Sequence, residues 1–167
     1  MEDKLQNIIN YGLSLVGIPY DWWREGPCQI KEPMWAENGP EVLKKDIISC
    51  NCAGLINLLL RKSGKKLPYF EKSIGRTESY FRYYNNVSED FDINKMYPIG
   101  TLLMKDFIDV NNQGHVAMVI ELKGKKSKIL QSHIDSEING VTTFYDIEES
   151  NKIYNYEKIV LPENWIL

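Results

Sequence analysis

A chain of 167 residues is long enough for one sizeable core and short for two, so the sequence predicts a single domain over residues 1–167. Hydrophobic residues make up 43%, charged residues 26% and aromatic residues 11%, the balance of a chain that folds and does not stay disordered. The net charge of −3 argues against nucleic acid as the main partner. The N-terminus, Met1-Glu2-Asp3-Lys4, lacks the basic flank and apolar run of a secretory signal. No apolar stretch approaches the roughly 20 residues that span a bilayer either, so the expected location is cytoplasmic, with no membrane partner.

Leu5, Ile8, Ile9, Leu13 and Leu15-Val16 recur at helical spacing and stop at Gly17-Ile18-Pro19-Tyr20, an amphipathic helix running into a turn. From about Asp21 to Asp46, Trp22, Trp23, Pro27, Pro33, Trp35, Gly39 and Pro40 alternate with charges, which favours an ordered irregular loop. Asp46 to Ser49 reads as extended. The segment Ser49-Cys50-Asn51-Cys52-Ala53-Gly54-Leu55 and onward to Gly64 reads as a buried central helix, with Asn51 as N-cap, basic residues in the last turn and Gly64 as the stop.

Lys72 to Asn85 is compatible with a short surface helix rich in tyrosine. Pro98 to Met104 reads as a turn and a buried strand. His115 to Ile120 and Lys128 to His133 read as two more strands, joined by a basic turn of Lys123, Lys125, Lys126 and Lys128 around Gly124. Val141 to Phe144 and Tyr154 to Val160 are expected to add edge strands. Helices followed by strands give an α+β fold, in which the central helix packs on an antiparallel β-sheet.

The three cysteines, Cys28, Cys50 and Cys52, are an odd set, which in a cytoplasmic chain favours free thiols over a disulfide framework. Cys50-Asn51-Cys52 lacks the two-residue spacing of a thiolate pair for zinc, and both histidines lie far downstream, so no metal is expected.

A thiol attacks as thiolate, and its pKa of about 8.5 falls to roughly 3.5–7.5 at a helix N-terminus or beside an imidazolium. Cys52 follows the expected cap, although the plain alternative is a small buried apolar residue. His115 opens an apolar strand after Asn111-Asn112-Gln113-Gly114, where its side chain can face a cleft while its backbone is held. Beside Cys52 it would be the general base.

A base of this kind needs a third group on its other ring nitrogen, and Gln131 and His133, on one face of the neighbouring strand, are both candidates. Counting across a turn centred on Gly124 sets 133 opposite 115. The local pattern Ile129-Leu130-Gln131-Ser132 favours Gln131 instead, and a bulge would move the register.

The series Gly17-Ile18-Pro19-Tyr20, Asn51-Cys52-Ala53-Gly54-Leu55, Pro98-Ile99-Gly100-Thr101-Leu102-Leu103 and Gly114-His115-Val116-Ala117-Met118 resembles the NlpC/P60 family of papain-like cysteine peptidases. The likeness runs from about residue 5 to 135. It implies Cys52 as nucleophile, His115 as base, Gln131 or His133 as orienter, and Tyr20 as a hydroxyl near the nucleophile that binds substrate or oxyanion. Asn51 and Ala53 replace the acid and hydroxyl that commonly flank the nucleophile, and Trp23-Arg24 stands where paired glycines often follow the turn.

The expectation is therefore a cysteine hydrolase that cleaves an amide through a thioester, needs no cofactor, and acts on a small peptide or peptidoglycan fragment such as a γ-D-glutamyl-linked stem. Two alternatives stay open, an acyltransferase or thioesterase acting on a lipid-like substrate and an inactive binding domain of the same fold. The sequence leaves the oligomeric state open.

Overall fold

Helix α1 (Glu2–Ser14) buries Ile8, Ile9 and Tyr11 along the stripe set by their spacing, and the chain then turns at Gly17, whose φ of 96° is left-handed. The computed structural model describes residues 2–21, 28–30 and 42–167. Most of the expected aromatic loop, including Trp22, Trp23 and Trp35, lies outside the described residues. Strand β1 (Cys28–Ile30) pairs antiparallel with β2 (Ile47–Cys50), setting Cys28 opposite Cys50.

Helix α2 (Cys52–Ser63) is buried from Cys52 to Arg61, as its nearly continuous apolar surface demands. Asn51 caps it, its Oδ1 accepting the Gly54 N–H at 2.8 Å, and Gly64 closes it in the left-handed region at φ 76°. Replacing Asn51 by Ala is expected to destabilise the fold by about 1 kcal/mol, read as a lower urea midpoint at unchanged slope.

Strands β3 (Tyr69–Phe70) and β4 (Ser73–Ile74) form a small hairpin ahead of helix α3 (Thr77–Tyr83). This helix is less superficial than its composition suggests, because Tyr80 is fully buried and its hydroxyl donates to Asn57 Oδ1 at 2.7 Å. Asn57, itself buried within α2, donates to the Gly75 carbonyl at 2.9 Å, so its amide ties the two helices together with both ends satisfied.

The remaining strands are β5 (Glu89–Asp90), β6 (Leu102–Lys105), β7 (His115–Val119), β8 (Ile129–Ile134), β9 (Asn139–Thr142) and β10 (Lys158–Val160), with helix α4 (Ile147–Tyr154) before the last. They form one antiparallel six-stranded sheet in the order β5-β10-β6-β7-β8-β9. The central strands are buried on both faces. Leu102, Met104, Val116, Met118 and Leu130 pack toward α1 and α2, while Leu103, Ala117, Val119 and Ile129 pack with Ile147 and Tyr156.

Two sequence expectations are corrected here. Tyr154 ends α4 and does not begin a strand, because the Asp146 and Glu149 side chains form a reciprocal capping box at the helix start and Asn155 stops it in the left-handed region. The strand that follows, β10, lies inside the sheet between β5 and β6, leaving β9 as an edge. The basic turn is a 3-10 turn at Gly124–Lys126 whose exposed lysines meet surface carboxylates. Lys126 meets Glu148 at 2.8 Å, Lys125 meets it at 3.3 Å, and Lys123 meets Glu121 at 3.4 Å.

Candidate active site

The first turn of α2 leaves its leading N–H groups without helical partners. Asn51 Oδ1 takes one of them, accepting from Gly54, while the Asn51 carbonyl accepts the first helical bond, from Leu55 at 3.1 Å. The N–H groups of Cys52 and Ala53 face the Cys52 sulfur, together with the Val116 N–H and the Thr77 hydroxyl, whose oxygen is 3.9 Å from Sγ. These donors favour the thiolate, but burial opposes them and prevails, pushing the thiol above its ordinary value. The lowered value expected from the helix terminus alone is therefore not found, because Cys52 is only 8% exposed and loses its hydration.

His115 begins β7, directly opposite Lys105 on β6. Gly114 before it has a φ of 72°, and a Cβ there would stand 2.3 Å from the Lys105 carbonyl oxygen, so only glycine lets the loop close this tightly ahead of the histidine. The imidazole is buried. Its Nε2 lies 2.7 Å from Gln131 Oε1, and since an amide oxygen only accepts, Nε2 carries the hydrogen and Nδ1 is left with its lone pair. Gln131 Oε1 also accepts from Ser150 Oγ at 3.4 Å, and Ser150 shares a 2.7 Å bond with the Tyr156 hydroxyl.

The two candidate orienters are thus separated by geometry. Bonded pairs Met118↔Leu130 and Val119↔Ile129, continued by the same count, set position 133 opposite 115. The side chain that reaches the His115 ring nitrogen is nevertheless Gln131, diagonal to it on the same face. His133, also buried, bonds through Nδ1 to the Tyr154 hydroxyl and through Nε2 to Asp135 Oδ2 at 3.2 Å.

Burial drives His115 toward its neutral form, its pKa falling to about 3 against the raising effect of Gln131. Between about 3 and 6.5 the unfolded chain therefore binds a proton that the folded one refuses, and this site withdraws stability as pH falls through that window. A denaturation midpoint measured across the window should decline toward acid, and the decline should be shallower in His115→Ala.

Tyr20, Cys52 and His115 line one cavity of about 530 Å³, a volume suited to a small ligand. Tyr20 is placed by its own backbone, whose N–H donates to Asn139 Oδ1 at 2.9 Å, while the preceding Ile18 pairs with Val141 of β9. Further lining comes from Lys105, Thr77, the Asn111 to Gly114 loop and Tyr154, with the exposed aliphatics Val110, Ile134 and Ile153 at the rim. Sequence reasoning missed Thr77, Lys105 and Tyr154. Only Tyr154 left a signal, the Asp146-Ile147-Glu148-Glu149 helix start that would have placed it on a helix end. Among the described residues no group of three or more His, Cys, Asp or Glu side chains is arranged to hold a metal ion, and no helix is long and apolar enough to cross a membrane.

A buried thiol at a helix N-terminus and a histidine with a free Nδ1, in one cavity, make up the groups that thiol-based acyl transfer requires. No protein-family model and no curated protein matches the chain. Among solved structures it is similar to a Staphylococcus aureus protein described as similar to a lipoprotein of the NLP/P60 family, at 16% identity and a TM-score of 0.49 over 96% of this chain. The chain spans 42% of that protein's length. It is also similar to the P60 domain of an antigen from M. avium subspecies paratuberculosis, at 18% identity and a TM-score of 0.48, covering 87% of this chain and 88% of that one.

Proposed function

We propose that this chain is a cysteine hydrolase that cleaves an amide bond through a thioester. The observation that carries the reading is the single cavity shared by Cys52, His115 and Tyr20, with Gln131 holding the far nitrogen of His115. In the first step the Cys52 proton passes to His115 Nδ1 as sulfur bonds to the amide carbon. The resulting oxyanion is held by the Cys52 N–H and the Tyr20 hydroxyl, and losing one such donor typically costs about 2.7–4 kcal/mol of barrier. Collapse breaks the C–N bond, with His115 giving its proton to the leaving amine. Water, deprotonated by His115, then releases the acid and restores the thiol.

The substrate class follows from the resemblance to the NlpC/P60 family, a small peptide of the peptidoglycan type with a γ-D-glutamyl-linked stem. A second reading, acyl transfer or thioester hydrolysis on a lipid-like substrate, is favoured by one observation, the exposed Val110, Ile134 and Ile153 around the cavity. Incubation with a γ-D-glutamyl-linked stem peptide and, separately, with a medium-chain acyl thioester distinguishes them by product mass. Cleavage of the peptide, lost in Cys52→Ala, supports the first reading. Turnover of the thioester alone supports the second, and turnover of neither by protein whose Cys52 labels rapidly sets both substrate classes aside.

A further inference from the structure

His115 and Tyr154 lie in a face-to-face sandwich, their ring centroids 3.6 Å apart and their planes 2° from parallel. Two neutral rings avoid this arrangement, which sets negative face on negative face, and prefer offset or edge-on contacts at about 4.5–7 Å. Neighbouring pairs follow that preference, His133 meeting Tyr154 at 5.6 Å and 83° and Tyr145 at 5.3 Å and 89°. A cationic ring over a phenol is the combination that gains from close face-on contact.

The hydroxyl of the same tyrosine is held in a defined direction. Asp135 Oδ1 accepts the N–H groups of Glu137 and Ile138, each at 2.7 Å, and Oδ2 accepts the Tyr145 hydroxyl at 2.5 Å. These donors hold its carboxyl well below the usual range, so Asp135 is an ionised acceptor. His133 Nε2 must then donate to it, and His133 Nδ1 shares a hydrogen bond with the Tyr154 hydroxyl. Burial keeps that phenol protonated. That bond fixes the hydroxyl of the ring whose face lies against His115.

We infer that Tyr154 is a positioning residue that stabilises the protonated form of His115, with Asp135 and His133 fixing the direction of its hydroxyl. The inference rests on reading His115 as the base for Cys52. Burial works against the imidazolium that appears when Cys52 gives up its proton, so compensation is needed, from Gln131 in the ring plane and from Tyr154 on the ring face. The other titratable groups around His115 are Cys52 at the start of α2, Lys105 on β6 with Glu157 at 3.2 Å, His133 on β8, and Tyr156 at a ring distance of 6.2 Å.

The test is the rate of Cys52 alkylation by iodoacetamide against pH, assigned by peptide mass, in the parent, Tyr154→Phe and Tyr154→Leu, each with and without His115→Ala. A plateau across neutral pH reports the fraction of thiolate paired with imidazolium, and the alkaline limb reports the plain thiolate. Tyr154→Leu should lower the plateau about tenfold and Tyr154→Phe, which keeps the ring, about threefold, with the alkaline limb unchanged. In the His115→Ala background neither should change the rate. An unchanged plateau in both tyrosine variants, or equal losses with and without His115, overturns the inference, the second result marking Tyr154 as packing only. Absence of any plateau in the parent overturns the reading of His115 as base, and this inference with it.

Discussion

Gln131→Leu is expected to lower both amide hydrolysis and neutral-pH alkylation of Cys52 by about tenfold. Gln131 is fully buried and its Oε1 is the acceptor for His115 Nε2–H at 2.7 Å, so leucine fills similar space and removes that bond together with the longer one from Ser150 Oγ at 3.4 Å. A hydrogen bond from a charged donor contributes about 1.5–3 kcal/mol and one from a neutral donor about 0.5–1.5, so the loss falls mainly on the imidazolium. A difference near 1.4 kcal/mol is a factor of ten. Without the acceptor the ring is also free to carry its hydrogen on Nδ1, where it no longer serves as base. His133→Leu, which removes the partner of the Tyr154 hydroxyl, should cost about threefold. The reverse ranking would make His133 the orienter.

Gly140→Ala is expected to destabilise the fold by about 3 kcal/mol and to reduce labelling of Cys52 in the molecules that remain folded. Gly140 has a φ of 119°, and a Cβ there would stand 1.9 Å from the Ile18 carbonyl oxygen. The atoms it would meet, Ile18 O, Ile18 C and Pro19 Cα, are all backbone, so no side chain can rotate away. Relief requires the Gly17 to Tyr20 turn to move off β9, breaking the bonds Gly17 N–H to Val141 O at 3.0 Å and Val141 N–H to Ile18 O at 2.9 Å. That turn carries Tyr20 into the cavity, and the Pro19 carbonyl accepts the Cys50 N–H at 3.0 Å just ahead of Cys52. Chemical denaturation measures the first effect, and labelling at matched folded fraction measures the second.

The central helix was legible because its signals are local. Asn51 at the cap, the apolar run, Arg61 and Lys62 in the last turn and Gly64 as the stop all act within a few residues, and the structure places α2 between them. The strands around His115 and Gln131 were legible for the same reason, each being a short apolar run between turns. Helix α4 was not, because Asn151, Lys152 and Asn155 dilute its periodicity, and its capping box stands next to the strand-like Val141 to Phe144.

What lay beyond the sequence is set by distant contacts. The preference for Gln131 over His133 depends on side-chain direction across a register that the turn alone did not decide. The raised thiol of Cys52 depends on how deeply β7, α3 and α2 bury it, which a helix-terminus argument does not contain. The stacking of Tyr154 on His115 joins residues 39 positions apart through a helix the periodicity concealed.

The most direct measurement is the pH profile of Cys52 alkylation in the parent and in His115→Ala. Cys50 is no competitor, since burial pushes its thiol up to about 12. The account predicts a plateau through neutral pH in the parent that vanishes in His115→Ala, leaving a single rise at a pH above the ordinary thiol range. The same single rise in both proteins would show that Cys52 and His115 do not act as a pair, and would contradict the hydrolase.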